Sequence, residues 1–223
     1  MDRMKFIKSE GTQELETELI KQLNSALEDE KHVLWLVPGG SNIAVAIKVM
    51  AALNSEHLNY LTLMLTDERY GEPGHDDSNY YQLKNAGLQT RGATFKDILA
   101  GDDFDTTVEA YAQMAEECMV DADTIIGFFG MGPDSHIAGV LPHSPAAVAN
   151  EDWVIGYDGG EYDRMTLTPY ALSHVDIAIV GAFGASKTEA LEKLCKTAAP
   201  MSEQPSRILC HLTNVIVFND QIG

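Results

Sequence analysis

Asp134 and His136 stand two residues apart, joined by a small serine, directly after Phe128-Phe129-Gly130-Met131-Gly132-Pro133. A carboxylate and an imidazole at that spacing can divide the work of a hydrolytic site. The carboxylate orients the ring and favours its cation, and the imidazole moves the proton. The apolar run before them, over 124–129, has the length of a buried strand. Gly130 and Gly132 then let the chain turn sharply without a Cβ penalty. In an open α/β sheet, ligands bind in the crevice outside the carboxyl ends of the strands. The acid–imidazole pair is therefore expected where a ligand would sit.

Two other strand ends carry usable chemistry. The run over 32–37, HVLWLV, is broken by Pro38-Gly39-Gly40-Ser41-Asn42, and helical periodicity resumes over 43–53. A strand, a glycine turn and a helix aim backbone N–H groups and a helix N-terminus at an anion. The same turn also suits a plain N-cap by Ser41 or Asn42. A second buried strand, 60–65, runs into Asp67-Glu68-Arg69 and a loop dense in charge and turn residues that ends at Asp77-Ser78-Asn79-Tyr80. Asp77 or Ser78 is expected to cap a helix reaching about residue 85.

The chain has 223 residues, 45% hydrophobic and 22% charged, enough to bury a core without disulfides. With 15 Lys+Arg against 34 Asp+Glu the formal charge is −19. No basic stripe exists to displace counterions, which argues against nucleic acid or an anionic membrane as partner. The few cations become informative, because an anionic substrate has to be held by them and by backbone N–H groups against the overall field. Cys118, Cys195 and Cys210 lie far apart without metal-ligand spacing and are read as reduced residues. The residue pattern calls for no metal and no cofactor, and it carries no signal for an oligomeric state. No run approaches the ~18 apolar residues of a membrane span. The first 16 residues are charged and lack the apolar core of a signal peptide, so the cytoplasm is the expected address.

The remaining elements must position these loops. Residues 4–8 read as an edge strand, and 10–28 as an amphipathic helix with Leu15, Leu19, Ile20, Leu23 and Leu27 at helical spacing. A helix is expected over 106–119, capped by Asp105 or Thr106. Antiparallel strands over 153–157 and 164–168 flank a glycine turn. A short helix over 169–174, a strand over 175–180, a helix over 187–196, a helical turn over 205–209 and a strand over 212–218 complete the chain. Strands alternating with helices predict an α/β fold, an open, mostly parallel Rossmann-like sheet with helices on both faces and a small antiparallel excursion. Residues 1–223 are expected to form a single domain.

The order of these motifs resembles the 6-phosphogluconolactonase family, within the superfamily it shares with glucosamine-6-phosphate isomerase/deaminase. Gly39-Gly40-Ser41 is similar to that family's phosphate turn. Asp67-Glu68-Arg69 with Asp77-Ser78-Asn79-Tyr80 resembles its acidic loop, and Gly130-Met131-Gly132-Pro133-Asp134-Ser135-His136 its glycine–aspartate–histidine signature. Arg164-Met165-Thr166-Leu167-Thr168 and Lys187 match two later motifs. Three departures stand out. Ser135 replaces a glycine, Ile137-Ala138-Gly139 replaces the more usual Thr-Ala-Ser, and the stretch 181–187 is longer than usual. A serine there is strained if the backbone needs a positive φ.

The resemblance implies hydrolysis of 6-phospho-D-glucono-1,5-lactone, a small phosphorylated sugar lactone, with no metal. His136 would be the general base, and Asp134 or Asp67 would hold its tautomer. Backbone N–H groups of the glycine turns, with Arg69, would meet the oxyanion. Gly39, Gly40, Ser41, Arg164 and Lys187 would bind the phosphate. Arg164 could instead pair with Asp163 or Glu161 on the surface, and Lys187 could be a solvated residue of a first helical turn. His75, His143 and His174 are read as structural or exposed. The deaminase sibling implies a glutamate five positions after the histidine, where this chain has Leu141, and an aromatic residue in place of Arg69. Both differences favour the lactone. A sugar-phosphate-binding protein without catalysis is the third reading, prompted by Ser135.

Overall fold

The computed structural model describes residues 4–28, 30–196 and 198–223, apart from the side chains of Cys195 and Lys196, so the reading of Cys195 lies outside the described residues. In chain order the elements are β1 (Met4–Lys8), α1 (Gln13–Leu27), β2 (Val33–Val37), α2 (Ile43–Ala52), β3 (Leu61–Leu65), β4 (Asp67–Arg69), α3 (Asn79–Asn85) and β5 (Thr94–Phe95). They continue with α4 (Phe104–Asp121), β6 (Thr124–Gly130), β7 (Val154–Asp158), β8 (Asp163–Leu167), α5 (Pro169–Leu172), β9 (Ile177–Ala182), α6 (Thr188–Lys196) and β10 (Val215–Asn219).

Seven strands form one sheet in the order β1-β10-β9-β6-β2-β3-β5, and every pairing in it is parallel. A parallel strand covered on both faces reads as a continuous apolar run, and all five residues of β2, VLWLV, are buried. From β2 the chain steps outward through β3 to β5, then returns to the other side of β2 as β6 and moves on to β9 and β10. The reversal lies between β2 and β6. That is the topological switch point, where the loops leaving two neighbouring strands diverge and open a crevice.

Helix α1 buries Leu15, Leu19, Leu23 and Leu27, a single face at four-residue spacing, and contacts β2, β6 and β9. Burying each of these leucines contributes about 1.5–3 kcal/mol. The second sheet, β4-β8-β7, is antiparallel. It joins the main core through Met165 and Leu167, both fully buried. As the sequence predicts, Ser78 caps α3, its side chain accepting from Tyr81 N–H.

Several local expectations change. Asp67–Arg69, read as loop, is the strand β4, pairing antiparallel with β8 at Asp67↔Thr166 and Arg69↔Arg164. Three charged residues carry no alternation, and only the tertiary partner makes them a strand. β5, two residues long, was equally illegible. Helix α4 starts at Phe104 because Asp103, rather than Asp105 or Thr106, accepts from Thr106 N–H. The helical turn expected over 205–209 extends as a 3-10 helix to His211, which delays the last strand to Val215. Among the described residues no helix is long and apolar enough to cross a membrane.

Candidate active site

The loop leaving β2 is a 3-10 turn, Gly40–Asn42, that feeds α2. The first N–H groups of such a start have no partner within the helix. Two close approaches explain its composition. A methyl group on Gly39 would lie 1.9 Å from Asn79 Oδ1, so glycine admits the Asn79 amide. Asn42 is buried over the ends of β6 and β9, where a methyl on Gly130 would meet its Nδ2 at 2.7 Å. Asn79 Nδ2 donates to Asp67 O at 2.9 Å, while its buried Oδ1 has no partner among the described residues.

The loop leaving β6 carries the acid–imidazole pair. His136 Nδ1 lies 2.7 Å from Asp134 Oδ1, and the same oxygen accepts from His136 N–H at 3.2 Å. Both side chains are partly open, 39% and 50% exposed. With a carboxylate on Nδ1, that nitrogen carries the proton and Nε2 is the free basic site. A methyl on Gly132 would sit 2.1 Å from His136 Nδ1, so the glycine makes room for the pair. Burial raises the Asp134 carboxyl, but the His136 charge and its hydrogen bonds outweigh that and hold it below its ordinary value. Ser135 has φ +69°, so the conformation that glycine would take freely is kept by a serine at a cost of about 1–2 kcal/mol.

The end of β3 supplies Asp67 through Arg69. Glu68 is fully buried and accepts from Arg69, Asn79 and Tyr80 N–H groups and from the Ser78 hydroxyl, at 2.6–3.0 Å. Burial pushes this carboxyl up, and the four donors pull against it. Glu68 thereby ties β4 to the start of α3 and fixes both its neighbours. Arg69 donates to Asp77 O at 2.9 Å and lies over the Tyr162 ring, 5.6 Å from its centroid. Across the β4–β8 ladder Arg164 is turned inward, 17% exposed, with Asp67 Oδ2 at 3.5 Å. Its partner is thus neither Asp163 nor Glu161. The Nε of each arginine is buried without a partner among the described residues.

Lys187 ends the 3-10 turn Ala185–Lys187 ahead of α6, rather than lying in the helix's first turn. Burial lowers its ammonium below the ordinary value, and the Asp134 charge opposes that shift.

These loops enclose a cleft of ≈ 400 Å³ over the carboxyl ends of the parallel strands. Gly39, Gly40, Ser41, Asp67, Arg69, His136, Arg164 and Lys187 all line it. Asp134 stands outside its wall, beside the His136 ring. Sequence reasoning missed Thr12, at the N-terminus of α1, and gave Asn42, Asn79 and Phe183 no site role, although all four line the cleft. Asn79 had a signal, its place beside the Asp77-Ser78 cap; Thr12 had none. His75 is structural, its Nε2 on Arg69 O at 3.0 Å, and His143 and His174 do not line the cleft. Among the described residues no three His, Cys, Asp or Glu side chains cluster closely enough to hold a metal ion.

Residues 8–217 match the family model for glucosamine-6-phosphate isomerases/6-phosphogluconolactonase. A 6-phosphogluconolactonase of Helicobacter pylori is 28% identical over 199 residues, covering 86% of each chain. The crystal structure of 6-phosphogluconolactonase from Thermotoga maritima superposes with a TM-score of 0.78 at 19% identity, over 97% of this chain and 99% of that one. A monomeric glucosamine-6-phosphate deaminase superposes almost as well, TM-score 0.77 at 16% identity over 97% of each. Fold likeness alone therefore leaves the two chemistries side by side.

Proposed function

The chain belongs to the family of glucosamine-6-phosphate isomerases and 6-phosphogluconolactonases, and on that premise we propose that it hydrolyses 6-phospho-D-glucono-1,5-lactone to 6-phosphogluconate. The observation that carries this reading is one cleft holding an imidazole braced by Asp134 together with a glycine turn, Arg164 and Lys187. A δ-lactone is an activated ester. It needs a positioned water, a base and a place for the oxyanion, and nothing more.

The phosphate sits against the N–H groups of Gly39, Gly40 and Ser41, with Arg164 and Lys187 supplying charge. Its binding energy fixes the lactone carbonyl beside His136, which converts a bimolecular attack into a positioned one. His136 Nε2 takes a proton from water as the water oxygen bonds to C1, and the carbonyl electron pair moves onto oxygen. The intermediate collapses, the bond from C1 to the ring oxygen breaks, and the imidazolium returns its proton to that oxygen. General-base help of this kind is worth about 10²–10⁴-fold. Asp134 holds the tautomer and steadies the transient cation, and Arg69 places positive charge at the same end as the oxyanion. Residues 1–223 work as one domain, in keeping with a core shared by both sheets.

Leu141, five positions after His136, cannot exchange protons, which favours lactone hydrolysis over amino-sugar deamination. The deciding measurement is acid release from the lactone against a buffer blank, run beside an ammonia assay on glucosamine 6-phosphate. Lactone turnover above the blank without ammonia is expected. Ammonia release with no lactone turnover would reverse the assignment, and phosphosugar binding without either would select a non-catalytic binding protein.

A further inference from the structure

Thr166, in the segment Arg164 to Thr168, has no task in the chemistry above. It is fully buried, and three carbonyls lie within range of its hydroxyl. Leu167 O is at 3.1 Å and Thr66 O at 3.4 Å, but the nearest is Ala138 O. A hydroxyl has one proton to give, and it goes to Ala138.

Ala138 and Gly139 are the central residues of a tight turn closed by Val140 N–H donating to Ile137 O at 2.8 Å. Their φ angles are +52° and +77°, the left-handed pair of a type I′ turn. Two buried hydroxyls hold this turn from behind. Thr166 takes the Ala138 carbonyl, and Tyr157 donates to Gly139 O at 2.6 Å. In a planar trans peptide, the carbonyl of one residue and the N–H of the next point in opposite directions. Thr166 draws the Ala138 carbonyl to itself, so the Gly139 N–H points away from Thr166. Ala138 and Gly139 both line the cleft, where Asp67 packs so closely on Gly139 that a methyl there would meet its Oδ2 at 2.8 Å. Among the described residues no acceptor meets that N–H. It lies three residues from His136, within a chain reach of about 10 Å.

We propose that the Gly139 N–H is an oxyanion donor for the lactone hydrolysis, and that Thr166 is the positioning residue that aims it. The inference rests on the reading of the site given above. When the water oxygen bonds to C1, the pair displaced onto the carbonyl oxygen is met by this N–H. When the ring bond to C1 breaks, the pair returns and the hydrogen bond weakens again. The donor thus acts most strongly in the transition state, where it raises kcat rather than affinity.

Three proteins test it: Thr166→Val, which keeps the shape and loses the hydroxyl; Thr166→Ser, which keeps the hydroxyl; and a chain with an ester in place of the amide that joins Ala138 to residue 139. The ester deletes that N–H and weakens the Ala138 carbonyl as an acceptor, the second effect being bounded by Thr166→Val. The ester chain should lose about 10²-fold in kcat, with KM within about twofold of the unmodified chain. Thr166→Val should lose about tenfold in kcat, and Thr166→Ser should recover to within about threefold. Unmodified kcat in the ester chain, or a serine variant that falls as far as the valine one, overturns the proposal. The ester chain decides alone if Thr166→Val does not fold. Turnover by the unmodified chain with an unaffected ester chain sinks only this inference, whereas no turnover above the blank sinks the lactonase reading and this inference with it.

Discussion

At the amino-terminal end of the parallel sheet a groove of ≈ 700 Å³ is lined by His32, Tyr60, Cys118, Val120 and Asp121. At the carboxyl end the cleft holding His136 measures ≈ 400 Å³. The larger cavity is chemically the quieter one. Its histidine is answered by neighbouring carboxylates: His32 N–H donates to Asp123 Oδ2 at 3.0 Å, Asp123 N–H donates back to His32 O at 2.8 Å, and His32 Nδ1 meets Asp121 at 3.1 Å. In the smaller cleft the Arg69 and Arg164 Nε atoms and Asn79 Oδ1 are buried without partners among the described residues. A buried unpaired polar group costs about 1–3 kcal/mol, so several at one place mark a surface shaped for something other than its own stability. The carboxyl end also gathers loops from four strands and the start of a helix, whereas strand starts and the end of α4 surround the other groove. Convergence of unsatisfied chemistry, rather than volume, separates the two.

The largest effect that would test this contrast is at the base. His136→Ala should lower kcat by about 10²-fold or more with modest change in KM. Steady-state kinetics against a buffer blank measure it, and unchanged turnover would remove His136 from the mechanism. Lys187→Ala should come next, raising KM about tenfold for the phosphorylated lactone, a loss of about 1.4 kcal/mol. An equal rise with an unphosphorylated lactone would count against a phosphate role.

Asp134→Asn should cost kcat less than the roughly 10²-fold expected for loss of the base, because the amide no longer fixes the tautomer but the ring keeps its place beside Gly132. The same variant carries a pH signature. The folded carboxyl is held below its ordinary value, so its contribution to stability is present above the unfolded carboxylate range near 3.9 and is lost as pH falls through the folded value. Acid unfolding monitored by circular dichroism should therefore be steeper in the native chain than in the variant over that window. The half-open setting keeps the difference small, since solvent screens exposed pairs.

Much of the lining of the candidate site is legible in the sequence, and the reason is local. Strands such as β2 and β6 are continuous apolar runs, glycine turns follow them, and parallel topology forces those turns to one end of the sheet. What was illegible depends on partners distant in the chain. Nothing in Asp67-Glu68-Arg69 says strand until β8 pairs with it. Lys187 looked like a helix residue because the 3-10 turn that holds it has the same local composition. The tight seating of Asn79 and of Asn42 shows only through Gly39 and Gly130 respectively, whose missing side chains leave room for them. Ser135 shows a local rule overridden: the turn needs a positive φ, the residue resists it, and the surrounding hydrogen bonds, Ser135 N–H to Gly132 O and Ser206 N–H to Ser135 O, both at 3.0 Å, hold the conformation.

The smallest expected effect lies at the other end of the sheet. Val120 is 74% exposed on the rim of the larger groove, so Val120→Ser removes apolar surface there without disturbing the core. Surface changes of this kind shift stability by about 0.5 kcal/mol at most, and kcat/KM should stay within about 1.5-fold of the native value. The groove connects to the site through β2, β3 and β6 and through α4, whose Tyr111 donates to Leu65 O at 2.7 Å. Their buried residues are close-packed and pass on displacements rather than surface polarity. A fall in kcat/KM well beyond that, at unchanged melting temperature, would mean that the strands couple the two ends, and a site defined by the carboxyl-end loops alone would then be too small.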